Sequence, residues 1–272
     1  MNKLKGFITL LRPFNCLMVS IAVLIGFLVS SGAFSAGTEI IFLMASAFLV
    51  CGAGQTINDI ADYKIDKKIK PTRVLPAGIV SLKEAKVFVL ILFLIGNVLA
   101  LIVSMTAFLI AVVFSLILFF YSVYLKKWKY LGNLLIALSS AVPLIYGASI
   151  INNYLLVGWF AGAAFFASYS REVIKDFEDI ELGEKDKTSL PMKFGCNANI
   201  FVYVSYSIAV LAGFFAAAFF RLNLIYLALL LLASFFFVVS GIDLSLNEFN
   251  KAQKNAKIGM LIALISFVSV IL

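Results

Sequence analysis

Val87–Leu125 reads VFVLILFLIGNVLALIVSMTAFLIAVVFSLILFFYSVYL, 39 consecutive residues without a charged side chain. A bilayer crossing takes about 20 apolar residues, so this run is long enough for two crossings that turn near Ser104–Thr106. Working outward, Tyr130–Ser170 is a second double-length run of 41 residues, turning at Asn152–Asn153. Pro13–Thr38, Ile40–Asn58, Phe194–Phe220 and Leu222–Ile242 are long enough for one crossing each, and Ile258–Leu272 is the shortest candidate. The pattern predicts an all-α integral membrane protein of nine transmembrane helices, spanning about 14–36, 40–58, 86–103, 106–125, 131–150, 154–174, 196–219, 222–242 and 257–272. The whole chain, 1–272, is then a single polytopic membrane domain, with two acidic loop regions at 58–83 and 171–194.

Composition agrees. The chain is 63% hydrophobic and only 13% charged, with a mean hydropathy of +1.07, against roughly 25% charged residues in soluble domains. Basic residues give a separate check on the span count. With nine spans, 21 of the 22 lysines and arginines fall on the side that holds the N-terminus, and only Arg221 falls on the other. The positive-inside rule makes that side the cytoplasm, which puts the C-terminus outside and a polar cap on the cytoplasmic face of the cell membrane. The net charge of +8 reads as topology plus attraction to anionic headgroups and does not point to nucleic acid. The first span has the basic flank of a signal peptide, but its length and the spans after it mark a retained helix.

The chain has no histidine. That excludes a Ser-His-Asp triad, a histidine general base and a histidine-ligated metal. Cys16, Cys51 and Cys196 are isolated in sequence and read as small apolar fillers, with no disulfide framework.

The acidic residues are concentrated: 11 of the 14 lie in or beside the 58–83 and 171–194 regions, on one face of the membrane. Asn58, Asp62 and Asp66 follow the second span at i, i+4, i+8, and Asp59, Asp62 and Asp66 at i, i+3, i+7. If the helix continues for two more turns, either set forms one oxygen-rich stripe. Glu172, Asp176 and Asp179 repeat the device at the end of the sixth span. Two carboxylate stripes repel each other unless cations intervene. Mg²⁺ suits oxygen ligands and commonly takes one or two carboxylates plus substrate phosphates.

Basic residues beside these stripes suit a polyphosphate. Lys67 and Arg73 lie in a loop punctuated by Pro71, Pro76 and Gly78, and Ser81-x-x-Glu84 is a capping box that opens the third span. A guanidinium at Arg73, in an ordered loop, is placed to clamp phosphate oxygens. Lys126 follows Tyr121 at the end of the fourth span, and Lys175 sits inside the second acidic run. Asn15 lies near the cytoplasmic end of the first span.

These residues carry a resemblance. Asn58-Asp-x-x-Asp62-x-x-x-Asp66, with Arg73 and Leu75-Pro76-Ala77-Gly78 after it, resembles the first motif of the UbiA-type intramembrane prenyltransferases. Asp176-x-x-Asp179, with Gly183 and Lys187-Thr188-Ser189-Leu190-Pro191 after it, is similar to the second. Leu11-Arg12-Pro13-Phe14-Asn15 resembles the N-terminal signature, Tyr121-Ser122 with Lys126-Lys127 the end of the fourth helix, and Gly132-Asn133 the entry to the fifth. The resemblance covers essentially the whole chain. Many members space the second carboxylate pair as D-x-x-x-D. Here Asp176 is followed by Asp179 and preceded by Glu172, and either is a candidate to complete a second metal site. Arg171-Glu172-x-x-Lys175-Asp176-x-Glu178-Asp179 and Lys187-Thr-Ser-Leu-Pro191 are most similar to the branch of archaeal digeranylgeranylglyceryl phosphate synthases.

The resemblance implies catalytic roles for Asp62, Asp66, Asp176 and Asp179, with Asn58 and Asp59 joining them around Mg²⁺, two ions in all. It implies diphosphate binding by Arg73, Lys67, Lys126, Lys175 and Tyr121, and an acceptor-side polar cap of Arg12, Asn15, Glu172 and Lys187. The partners are then an isoprenoid diphosphate donor, a lipid-phosphate acceptor and the bilayer itself. The expected reaction is transfer of a geranylgeranyl group to geranylgeranylglyceryl phosphate. A family member acting on an aromatic acceptor is the alternative. A cation-coupled transporter would place ionisable residues near mid-membrane, and an intramembrane aspartyl protease would need paired aspartates within its spans; the charge-free runs contain neither.

Overall fold

The computed structural model describes residues 2–33, 37–125, 129–183 and 188–272, and every regular element among them is helical. A short helix α1 (Lys3–Leu11) precedes α2 (Pro13–Ser31), α3 (Thr38–Ile69), α4 (Leu82–Val103) and α5 (Met105–Phe120). Then come α6 (Lys129–Ala148), α7 (Leu155–Glu181), the single-turn α8 (Leu190–Phe194), α9 (Asn199–Phe220), α10 (Leu224–Ser245) and α11 (Phe249–Ser269).

Among the described residues, seven helices are long and apolar enough to cross a membrane: α2, α3, α4, α6 and α10, together with the stretches Met105–Tyr124 and Leu190–Phe220. The sequence reading adds α7 and α11 to these. Both pack alongside the seven, but α7 dilutes its apolar residues with Gly, Ala and Ser before reaching Arg171, and α11 opens with the polar run Phe249-Asn-Lys-Ala-Gln-Lys-Asn. Large apolar side chains such as Leu90, Leu94, Leu211, Leu231 and Val238 are exposed along the outer helix faces. In water that would be one large apolar patch; in lipid it is the solvated surface of a multi-pass membrane protein.

The turns fall where the polar residues predict. Ser104 separates α4 from α5 and caps the latter, its side chain accepting from Ala107 N–H at 3.0 Å. Asn152, in the left-handed region at φ 61°, turns the chain between α6 and α7. Ser81 and Glu84 form the capping box at the start of α4.

Apolar burial drives little helix association within lipid, so close backbone packing has to contribute. The crossing of α2 and α6 is the clearest case. Gly26 lies against the Leu144 backbone and Gly147 against the Val23 backbone, with no room for a methyl group at either glycine. In the other half of the bundle, Phe160 of α7 stacks on Phe267 of α11 with ring centroids 4.2 Å apart, and on Tyr226 of α10 at 5.6 Å.

One end of the bundle is roofed. Gly6 of α1 lets Val74 and Val80 of the 70–81 loop approach closely. These valines, Leu75 and Leu10 form a buried apolar cluster with Ala85 of α4. Lys3 pairs with Glu84 at 2.5 Å and ties α1 to the start of α4. The sequence reading placed no helix before the first span; α1 forms because its Leu and Phe residues have this roof to bury against.

Candidate active site

Both acidic stripes are helical. α3 runs past the apolar span to Ile69, and α7 continues through Asp176 and Asp179 to Glu181. Both border a cavity of about 510 Å³, α3 through Asn58, Asp59 and Asp62 and α7 through Lys175. Arg12, Asn15, Gln55, Asn58, Asp59, Asp62, Arg73, Tyr121 and Lys175 line its polar end, while Val50, Ile110, Phe114, Leu118, Leu135 and Val142 are among its apolar walls. The chamber is thus ionic at one end and hydrocarbon-like at the other.

The carboxylates are held one at a time. Arg12 has left-handed backbone (φ 52°) between α1 and α2, which turns its side chain onto α3. There Nη2 donates to Asp59 Oδ1 at 2.5 Å and Nη1 to Gln55 Oε1 at 2.9 Å. Arg73 Nη1 donates to Asp66 Oδ2 at 2.7 Å, and that carboxylate holds the guanidinium pKa above its usual value. Asp176 is buried and accepts from Asn133 Nδ2 at 2.7 Å, while Arg171 Nη1 donates to the buried Glu172 at 2.7 Å. Asn58 Oδ1 accepts from Ser122 Oγ at 2.7 Å. Ser122 belongs to a π-helical turn, Tyr121–Leu125, at the end of α5; such turns are frequent at functional sites. Tyr121 sends its hydroxyl over Gly132, where a β-carbon would collide with it.

No three acidic or cysteine side chains converge on one point among the described residues. The donors around the cavity are nevertheless oxygen atoms, the kind a hard divalent cation takes. The carboxylates that line the cavity, Asp59 and Asp62, both come from α3, and α7 faces it with Lys175.

The fold gathers most of the sequence-predicted residues and leaves some apart. Asn58, Asp59, Asp62, Arg73, Tyr121 and Lys175 share the cavity with Arg12 and Asn15. Asp66 is buried behind Arg73, Asp176 is buried against α6, and Asp179 is half-buried one turn beyond it on α7. Lys67 is exposed on α3 and does not line the cavity. Lys126 and Lys187 lie outside the described residues. Glu172 faces Arg171 rather than the cavity mouth. All three cysteines are free: Cys16 is buried and Cys51 lines the cavity, but Cys196 is exposed in a 3₁₀ turn and fills no apolar space.

Three polar partners were not assigned a role from sequence: Gln55, Ser122 and Asn133. Gln55 had a usable signal, since it lies four residues before Asp59 on the same helix face. Ser122 and Asn133 fall within the Tyr121-Ser122 and Gly132-Asn133 motifs, but the approach of their helices to α3 and α7 is established only by folding.

The model of the UbiA prenyltransferase family matches residues 19–265. The chain belongs to the UbiA prenyltransferase family. It is 34% identical over 282 residues to the digeranylgeranylglyceryl phosphate synthase of Methanococcus aeolicus, covering 98% of this chain and 97% of that one. A solved structure of a digeranylgeranylglyceryl phosphate synthase superposes over the full length of both chains with a TM-score of 0.90 at 32% identity. A UbiA homologue from Archaeoglobus fulgidus, bound to GPP and Mg²⁺, superposes with a TM-score of 0.66 at 18% identity, covering 95% of this chain and 99% of that one; at that identity the likeness is one of fold.

Proposed function

We propose that this member of the family transfers a geranylgeranyl group from geranylgeranyl diphosphate to geranylgeranylglyceryl phosphate, forming the second ether bond of an archaeal membrane lipid. The observation that carries this reading is the cavity itself: three oxygen-bearing side chains of the first acidic motif and three cations at one end, an apolar chamber at the other. The full-length similarity to digeranylgeranylglyceryl phosphate synthases supports the choice of acceptor.

Mg²⁺ fits the donor set, and a UbiA homologue of this fold binds it together with a prenyl diphosphate. Asn58, Asp59 and Asp62 would hold it from α3, with Asp176 and Asp179 on α7; Glu172, committed to Arg171, is the weaker candidate for the second site. Bound there, Mg²⁺ would neutralise the leaving diphosphate.

The chain's own residues do the rest. Arg12, Arg73 and Lys175 face the diphosphate end and oppose its negative charge as the allylic C–O bond loosens. The electron pair of that bond leaves with diphosphate. The acceptor's hydroxyl oxygen forms the new bond to C1, and its proton passes to a carboxylate or to the departing diphosphate. Because ionisation leads attack, no strong base is required, in keeping with a chain that has no histidine. The apolar walls keep water from a carbocation-like centre. In this reading the chain is one polytopic unit of nine spans, with α7 and α11 completing the count and the cavity mouth facing the cytoplasm.

The test is a product assay on purified, detergent-solubilised protein with labelled geranylgeranyl diphosphate and Mg²⁺. Geranylgeranylglyceryl phosphate or 4-hydroxybenzoate is the acceptor, and EDTA the control. A doubly prenylated glyceryl phosphate that EDTA abolishes is expected. Transfer to the aromatic acid alone would overturn the acceptor.

A further inference from the structure

A second cavity, of about 410 Å³, lies between α2, α6, α7, α9, α10 and α11. Small residues make room for it, among them Ala22, Ala163, Ala164, Ala167, Ala209 and Gly213, and Leu230, Phe237, Leu264 and Phe267 supply apolar wall. Met18 and Leu261 on its rim are exposed on the outer face of the bundle, so it opens toward the bilayer.

Two cations break this apolar lining, Arg171 and Lys257, and no carboxylate lines the cavity among the described residues. They sit at the same end of the bundle as the first cavity's mouth. Gln253 of α11, one turn before Lys257, donates to Glu178 of α7, two turns beyond Arg171. Lys257 makes no ion pair among the described residues. Arg171 uses Nη1 on Glu172, but its Nε is buried with no hydrogen-bond partner. A buried guanidinium N–H left without an acceptor is costly, and an anion in this cavity would supply one.

The two cavities adjoin. Val19, Ser139 and Pro143 line both. Pro143 sits inside α6 and has no N–H, so the Ser139 carbonyl lacks its usual helical donor at this junction. Ser140 lies 3.0 Å from Ser168 (Oγ to Oγ), and Ser168 precedes Arg171 by about one turn on α7. Along the α7 backbone, the level of this contact and Arg171 are therefore roughly one helical turn apart, about 5.4 Å. That is comparable with the reach from a glyceryl phosphate group to the neighbouring hydroxyl.

We propose that this second cavity is the acceptor site: its apolar body takes the isoprenoid chain of a lipid monophosphate, Arg171 and Lys257 hold the phosphate, and the free hydroxyl meets the donor at Ser139 and Pro143. This rests on the transfer reaction proposed above. It also separates the two substrates. The diphosphate lies among carboxylates that need a metal, whereas the monophosphate is met by Lys257 and by the edge of Arg171 that Glu172 leaves open.

The experiment measures equilibrium binding in detergent. Geranylgeranylglyceryl phosphate and geranylgeranylglycerol are titrated in EDTA, where no transfer occurs, and geranylgeranyl diphosphate in Mg²⁺. Lys257→Gln is expected to weaken the phosphorylated lipid by about tenfold, as loss of a charge-assisted contact implies, and to leave the other two within about twofold. Arg171→Lys, which keeps the charge opposite Glu172 but loses the guanidinium fork, is expected to act in the same direction. Unchanged binding of the phosphorylated lipid in both variants, or parallel weakening of all three ligands, would overturn the assignment. Wild-type protein that binds the lipid phosphate with this pattern but does not prenylate it would sink the activity and leave the site standing. Wild-type transfer with an acceptor KM unmoved by Lys257→Gln would do the reverse.

Discussion

Asn133 Nδ2 donates to Asp176 Oδ2 at 2.7 Å across the buried contact of α6 and α7. Asp176 belongs to the second acidic motif, and this bond fixes which way its carboxylate faces. Asn133→Leu keeps the branched outline, with somewhat more bulk, and removes the donor. A hydrogen bond to a charged group contributes about 1.5–3 kcal/mol, so we expect a loss of transfer rate of at least about tenfold and a lower melting temperature in detergent. Full activity in a stably folded Asn133→Leu protein would rule out a positioning role.

Arg12 reaches Gln55 and Asp59 with two different nitrogens. A lysine ammonium is a point charge and cannot reproduce that fork. Arg12→Lys is expected to lower kcat/KM by about tenfold and Arg12→Ala by more. Equal activity of Arg12→Lys and wild type would mean that only the charge counts at this position.

Metal removal tests the oxygen-ligand reading directly. Dialysis against EDTA should abolish transfer, and excess Mg²⁺ should restore it. Asp62→Asn, which keeps the shape but removes the charge and one of the two oxygens, should raise the Mg²⁺ concentration needed for half-maximal activity by about tenfold or more. An Asp62→Asn protein with a wild-type Mg²⁺ profile would remove Asp62 from the ligand set.

Gly147 has the Val23 backbone against it. Gly147→Ala forces α2 and α6 apart, at a cost of about 1–3 kcal/mol typical of overpacking. The expected result is a lower melting temperature with an unchanged Mg²⁺ requirement in the protein that stays folded. Unaltered thermal stability would show that the crossing can relax.

Much of this architecture is written in local pattern. The charge-free run Val87–Leu125 must be helical, because lipid leaves backbone groups no other partner, and Ser104 marks its turn because its side chain can cap the next helix. The i, i+4 spacing of the acids announces two stripes, since helical periodicity alone puts such residues on one face. Composition was less able to judge α7 and α11, where small or polar residues dilute the hydropathy of helices that still pack inside the bundle.

Tertiary structure decided the pairings. Which donor each acid meets depends on helices far apart in sequence: Arg12 with Asp59, Ser122 with Asn58, Asn133 with Asp176. The second cavity, and its contact with the first at Ser139 and Pro143, likewise arises from six helices packing together. A periodic sequence determines which face of a helix is polar, because 3.6 residues per turn dictate it. It does not say what that face looks at, because the answer is set by helix crossings where glycines such as Gly26 and Gly147 let the backbones touch.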